Sequence, residues 1–219
     1  MQTHFDDELA ALKERVRHMA TQAERMLQVA VRGLVAHEAE DMEAVFSLEK
    51  EVNALQVEID TRALDLIALH QPVATDLRLL VMTIKISSDI ERIADQAVNI
   101  AQNSRIYFQH APLKPLDDLP MMMDAVLQML HKSLDAFIRQ DVSLAQDVLR
   151  SDDTVDAFKS RIFQDLLTMM TGEPATIPRA FCLVLISRNL ERIGDHATNI
   201  AEEVIYLVQG RDVRHKQKT

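Results

Sequence analysis

The chain has 219 residues, of which 47% are hydrophobic and 26% charged, with four Gly, six Pro and no Trp. So few turn formers beside abundant Ala, Leu, Met, Glu, Gln and Arg argue against an all-β fold and for an all-α one. A net charge of −10 opposes contact with phosphate backbones, so nucleic acid is not an expected partner and cations or basic protein surfaces are.

The amino-terminal residues are studded with charge and lack an apolar h-region, and no stretch approaches the ~18 apolar residues of a membrane span. Between Phe5 and about His37, Leu9, Leu12, Val16, Met19, Ala23, Met26, Ala30 and Leu34 recur at steps of three and four, which predicts one long amphipathic helix. A second helix is expected from about Asp41 to Leu69, broken by HQP because the residue before a proline is pushed out of the α region. A third should run from about Val73 to Phe108. The segment HAPLKPLDDLP, with its three prolines, reads as a linker between halves. Helices from about Met121 to Arg139, Val142 to Met170 and Ala175 to Gln209 follow, the last closed by Gly210. The single cysteine, Cys182, lies in the apolar run AFCLVLI, so neither a disulfide framework nor a thiolate zinc site is expected, which suits a reducing, cytoplasmic setting. The carboxyl end, RDVRHKQKT, reads as a frayed terminus, with a basic contact to an anionic membrane or acidic partner as the other reading.

The chain repeats itself. Residues 86–101, ISSDIERIADQAVNIA, and 186–201, ISRNLERIGDHATNIA, are identical at ten of sixteen positions. Glu91/Glu191, Arg92/Arg192, Asp95/Asp195 and Asn99/Asn199 recur in register, and packing alone does not require polar identity. At an offset of 103, Met26/Met129, Leu27/Leu130, Val45/Val148, Val52/Val155 and Ala54/Ala157 also match. Short turns make successive helices antiparallel, so the expected architecture is two tandem, pseudo-symmetric three-helix bundles, residues 1–110 and 111–219. Whether they pack as one body is left open by the sequence.

At 100° per residue, Asp95 falls about 40° and Asn99 about 80° from Glu91, opposite the Ile-rich arc. Glu191, Asp195 and Asn199 repeat the strip, which Glu202 extends. The second helix of each half offers a matching strip, Glu49 with Asn53 and Asp152 with Asp156. Counted from the turns, these strips come to one height. Acids four residues apart repel by about 0.2–0.5 kcal/mol, and a convergence of several calls for a cation. Arg92, Arg188 and Arg192 are candidates, as is a metal ion; carboxylate donors without cysteine suit Mg²⁺, Mn²⁺, Fe or Zn²⁺. The plainer reading is a solvated helix face with surface ion pairs. His196 points away from the strip and reads as a surface or interface residue before a ligand. Gly194, costly mid-helix, reads as a close-packing site. Met121, Met122, Met123, Met169 and Met170 read as core fillers.

The doubled ERIADQAVNIA and ERIGDHATNIAE, the entry LHQPVATDLR and the ending EVIYLVQG resemble the PhoU family, bacterial regulators associated with the high-affinity phosphate transporter. The resemblance covers about Phe5 to Gly210. It implies two PhoU bundles, metal clusters of Fe or Zn (Mg or Mn also compatible) on acid-xxx-acid motifs, and a cytoplasmic homodimer without catalytic residues. Carried over, the ligands are Glu49, Glu91 and Asp95 in the first half and Asp152, Asp156, Glu191 and Asp195 in the second. Asn53 departs from the motif, making the first cluster the weaker. Asn99, Asn199, Glu202, Arg92 and Arg192 are supporting candidates. The resemblance further implies a negative regulator of phosphate uptake and of the phosphate-starvation response, linking the ATPase subunit of the phosphate ABC transporter to a sensor histidine kinase and reaching the membrane only through these partners. A carboxylate-bridged di-iron oxidase or hydrolase and a metal-free helical adaptor are the alternatives.

Overall fold

The computed structural model describes residues 2–113 and 117–213. Six helices account for nearly all of them: α1 Gln2–Ala36, α2 Ala39–His70, α3 Ala74–Tyr107, α4 Asp118–Arg139, α5 Val142–Gly172 and α6 Ile177–Gln209. No strand occurs among the described residues. Part of the linker, residues 114–116, and the last six residues of the basic tail lie outside the described residues.

The periodic apolar residues bury as their spacing requires. Leu12, Val16, Met19, Ala23, Met26 and Ala30 of α1 are all almost wholly inaccessible. They meet Met42, Val45, Val52 and Ile59 of α2 and Ile86, Ile90, Ile93 and Ile100 of α3, while α4, α5 and α6 form the second bundle. The bundles pack on each other along α3 with α6 and along α1 with α4, and one apolar core runs through both. The question left open by the sequence is thereby answered: the halves form a single six-helix body.

Polar pairs repeat at the 103 offset even where residue types do not. Arg15 of α1 donates from Nε to Oε1 of Glu58 on α2 at 2.9 Å. The same two places in the second half hold Asp118 and Arg161, where Arg161 Nε donates to Oδ2 at 2.7 Å. The pairing survives with its polarity reversed, because an ion pair across two helices is indifferent to which helix carries which sign.

Helix ends explain where the sequence expectations shift. Gln71 stops α2 by entering the left-handed region (φ 48°), its N–H donating to the Ile67 carbonyl, before Pro72. Gly210 closes α6 in the same way (φ 64°). Asp141 caps α5, its carboxylate accepting from Ser143 and Leu144 N–H at 2.9 and 3.1 Å. The fourth helix starts three residues before Met121, since Pro120 falls in its first turn, where the missing N–H has no helical acceptor anyway. The sixth starts two residues late, after a 3-10 turn over Pro174–Thr176.

Two core expectations need correcting. Met122 and Met123 are buried, but Met121 is 55% exposed, on the outer face of α4. At Gly194, an added Cβ would meet Val155 Cγ1 at 3.6 Å and Met129 Cε at 3.8 Å, ordinary contact distances, so close packing does not demand glycine there. Gly33 is the position that does: a Cβ would sit 2.7 Å from Asp41 Cβ and overlap Met42 Cε, where α2 crosses the end of α1.

Candidate functional site

The acidic residues singled out by the repeat lie on α2, α3, α5 and α6 near the middle of these long helices, where antiparallel pairing holds α2 against α3 and α5 against α6. In the first half, burial pushes the Glu91 carboxyl above its ordinary range, and repulsion from Asp95 and Glu49 adds to it, against the pull of Arg92 and His196. In the second half, desolvation raises Asp195, and Glu191, Asp152 and Asp156 raise it further, opposed by His196. Each cluster thus joins acids from two helices that lie forty or so residues apart in sequence, as counting from the turns predicts.

The second cluster borders a groove of about 550 Å³ between α5 and α6, with Phe163 and Val184 at its apolar side and Lys159, Arg188, Glu191, Arg192 and Asp195 around it. Lys159 Nζ donates to Glu191 Oε1 at 2.6 Å. This ammonium is a counter-charge that the sequence reading misses, although Lys159 follows Asp152 by seven residues and Asp156 by three and so shares their face of α5. Its counterpart at the 103 offset is Gln56, so the first cluster has no ammonium at that place. Asn53 stands beside Glu49 one turn on, and its side-chain oxygen is buried without a hydrogen-bond partner. Asp60, on the same helix, accepts from Ser87 Oγ at 2.7 Å.

Two supporting candidates fall elsewhere. Asn199 donates to Asp89 Oδ1 at 3.3 Å across the seam between bundles. Asn99 lines a groove with Arg188, Asn189 and Arg192 on that seam. The reason is the helical step: 80° from Glu91 or Glu191, a side chain has turned away from the neighbour in its own bundle towards the other bundle. His196 is an interface residue, as expected, with Nδ1 2.8 Å from Asp89 Oδ1. Glu202 is half-buried two turns beyond Asp195 on α6.

Among the described residues, no three His, Cys, Asp or Glu side chains stand ready-assembled around one cation position. The donors are nevertheless of the type hard and borderline ions take, they are mutually repelling, and an orphaned amide oxygen adjoins the first set. The residues fit a metal in kind, as oxygen donors on neighbouring helices, and in the second half Lys159 already occupies Glu191.

The PhoU domain model matches residues 16–104 and again 119–204, one match per bundle. The chain belongs to the PhoU family. It is 36% identical over 210 residues to a phosphate-specific transport system accessory protein PhoU homolog of Deinococcus radiodurans, covering 96% of this chain and 99% of that protein. It is 35% identical over 213 residues to the PhoU accessory protein of Escherichia coli K12, covering 96% and 88%. The crystal structure of PhoU from Pseudomonas aeruginosa superposes with a TM-score of 0.91 at 33% identity, over 94% of this chain and all of that one. The PhoU phosphate transport system regulatory protein from Streptococcus pneumoniae gives 0.89 at 26% identity, over 95% and 99%. Among the described residues no helix is long and apolar enough to cross a membrane.

Proposed function

We propose that this chain is an accessory regulator of phosphate-specific transport, restraining uptake and the phosphate-starvation response when phosphate is plentiful. The observation that carries this reading is family membership over almost the whole of this chain, with both repeats matched by the family model. In this reading it is a cytoplasmic homodimer that docks between the transporter's ATPase subunit and a sensor histidine kinase, and it acts by binding, without catalysis. Long helices with exposed outer faces suit that work: Val57 and Leu64, seven residues apart on α2, are 66% and 58% exposed and form a stripe that a partner helix can cover.

A metal is part of the proposal. Asp152, Asp156, Glu191 and Asp195 would hold it in the second half and Glu49, Glu91, Asp95 and the Asn53 oxygen in the first; Fe or Zn, or Mg or Mn, would offset the mutual repulsion of these acids. The di-iron enzyme reading has no observation in its favour: its ligands point into the bundle core, whereas here the cores are apolar and the acids sit at their edge. Deleting the gene should raise a phosphate-responsive reporter in phosphate-rich medium, and re-expression should lower it again. A reporter that stays low in the null strain would overturn the reading.

A further inference from the structure

The duplication lets one half of the inter-bundle seam be compared with the other. α3 and α6 run along each other about a pseudo-twofold, so every position at one end has a counterpart at the other, related by 100 residues. At the first end both acids have partners across the seam. Asp89 receives His196 Nδ1 at 2.8 Å and Asn199 at 3.3 Å, and Lys85 Nζ lies 3.5 Å from Glu203 Oε1. At the other end the acids have gone. Asp89 is replaced by Asn189, Glu203 by Asn103, His196 by Gln96, and Ser88 by Arg188. What remains is a groove of about 250 Å³ lined by Asn99, Asn103, Leu185, Arg188, Asn189 and Arg192. It has two guanidinium groups, three amides and no carboxylate among its walls.

The donors are arranged, not merely present. Asn103 gives one amide N–H to the Asn99 carbonyl at 2.7 Å, and Asn189 gives one to the Leu185 carbonyl at 2.8 Å. Each bond fixes which way its side chain points and leaves a second N–H for a ligand. Arg188 and Arg192 both line this groove, and each guanidinium carries five N–H donors in a fixed fork. Two planar forks with amide N–H groups match a tetrahedral oxyanion, which offers acceptors in several directions. The groove has room for about eight water volumes and so admits such an ion with part of its hydration. The net charge of −10 argues against a nonspecific anion sink, which makes a local cationic, acid-free groove the more distinctive.

We infer that the acid-free end of the α3/α6 seam is a binding site for a tetrahedral oxyanion, with inorganic phosphate as its ligand. The oxyanion site stands apart from the regulatory reading and from bound metal; only the choice of phosphate as its ligand rests on that reading. Arg188 and Arg192 also border the α5/α6 groove with Glu191 and Asp195, so an anion that draws these arginines into the seam withdraws positive charge from the acidic cluster. Occupancy of the two grooves is thereby coupled through shared side chains.

The test uses full-length, chelator-treated protein, which removes any metal through which phosphate could bind. Side-chain amide signals of Asn99, Asn103 and Asn189 are followed by nitrogen-15 NMR as inorganic phosphate is added at constant ionic strength. The expected result is a saturable shift of all three, weakened about tenfold in Arg188→Gln and in Arg192→Gln. It should be abolished in Asn103→Glu/Asn189→Asp, which installs the acids of the twin seam. Lys85→Gln, at the other end, should bind as the wild type does. Sulfate in place of phosphate separates a site for tetrahedral oxyanions, which shifts the same amides, from general salt effects, which shift many surfaces alike. Amides that do not move, or a shift that survives both arginine substitutions in variants whose circular dichroism is native, would overturn the inference.

Discussion

Lys159 gives the sharpest handle on the acidic cluster. Its ammonium lies 2.6 Å from Glu191 Oε1, and a metal ion that takes Glu191 as a ligand must break that bond. Charged hydrogen bonds contribute about 1.5–3 kcal/mol when well shielded and exposed ion pairs about 0–1 kcal/mol. With the lysine side chain 39% and the glutamate 20% exposed, the pair lies between these limits, at about 1 kcal/mol. Lys159→Gln places in the second half the residue type that Gln56 supplies in the first. Removing the competitor should tighten metal binding by that same ~1 kcal/mol, about fivefold, since 1.4 kcal/mol is tenfold. Competition against a chromogenic chelator at fixed ionic strength measures this, with metal content at saturation as a check on stoichiometry. If Lys159→Gln binds metal no more tightly than the wild type, Glu191 is not a ligand and the assignment of the second cluster fails.

Other consequences concern stability. Because the folded-state pKa of Asp195 is raised, its ionisation opposes folding: the contribution is whole below about pH 4 and is lost as pH rises through the raised value. Metal-free Asp195→Asn should therefore be more stable than the wild type at pH 7, by about 0.5 kcal/mol on the scale of neighbouring acids, and the difference should vanish near pH 3. Urea unfolding in chelator that shows the variant weaker at pH 7 would contradict the repulsion. Gly194→Ala should stabilise by about 1 kcal/mol, a rise in Tm of about 2–4 °C, whereas Gly33→Ala should lower Tm because its Cβ would collide with α2. His196→Ala strips Asp89 of its closest partner and should cost about 1–3 kcal/mol, with faster hydrogen exchange concentrated in α3 and α6.

The fold is legible because each helix carries its apolar residues at a regular step and each turn carries its own stop signal. Gln71 before Pro72 and Gly210 after Gln209 end helices for reasons of backbone sterics that act locally. The common height of Glu49 with Glu91, and of Asp152 and Asp156 with Asp195, follows from counting residues out of a hairpin of rigid rods. What the count does not supply is the azimuth of one bundle against the other. Asn99 and Asn199 therefore read as part of the acidic strip although they face the seam, and Asp89 passes unnoticed until His196 is found against it. Lys159 escapes for a different reason: the strip reading tracks acids and neighbouring arginines, and a flexible lysine reaches its partner from another helix.

The central claim is that matched carboxylates on paired helices hold metal, and metal content tests it most directly. The protein is purified without chelator, and elemental analysis is run on the wild type beside Glu191→Ala/Asp195→Ala. The expected result is bound metal in the wild type, with the second-half share missing from the variant and the remainder retained. Equal metal in both proteins, or none in either after reloading with iron, zinc, manganese and magnesium, would contradict it.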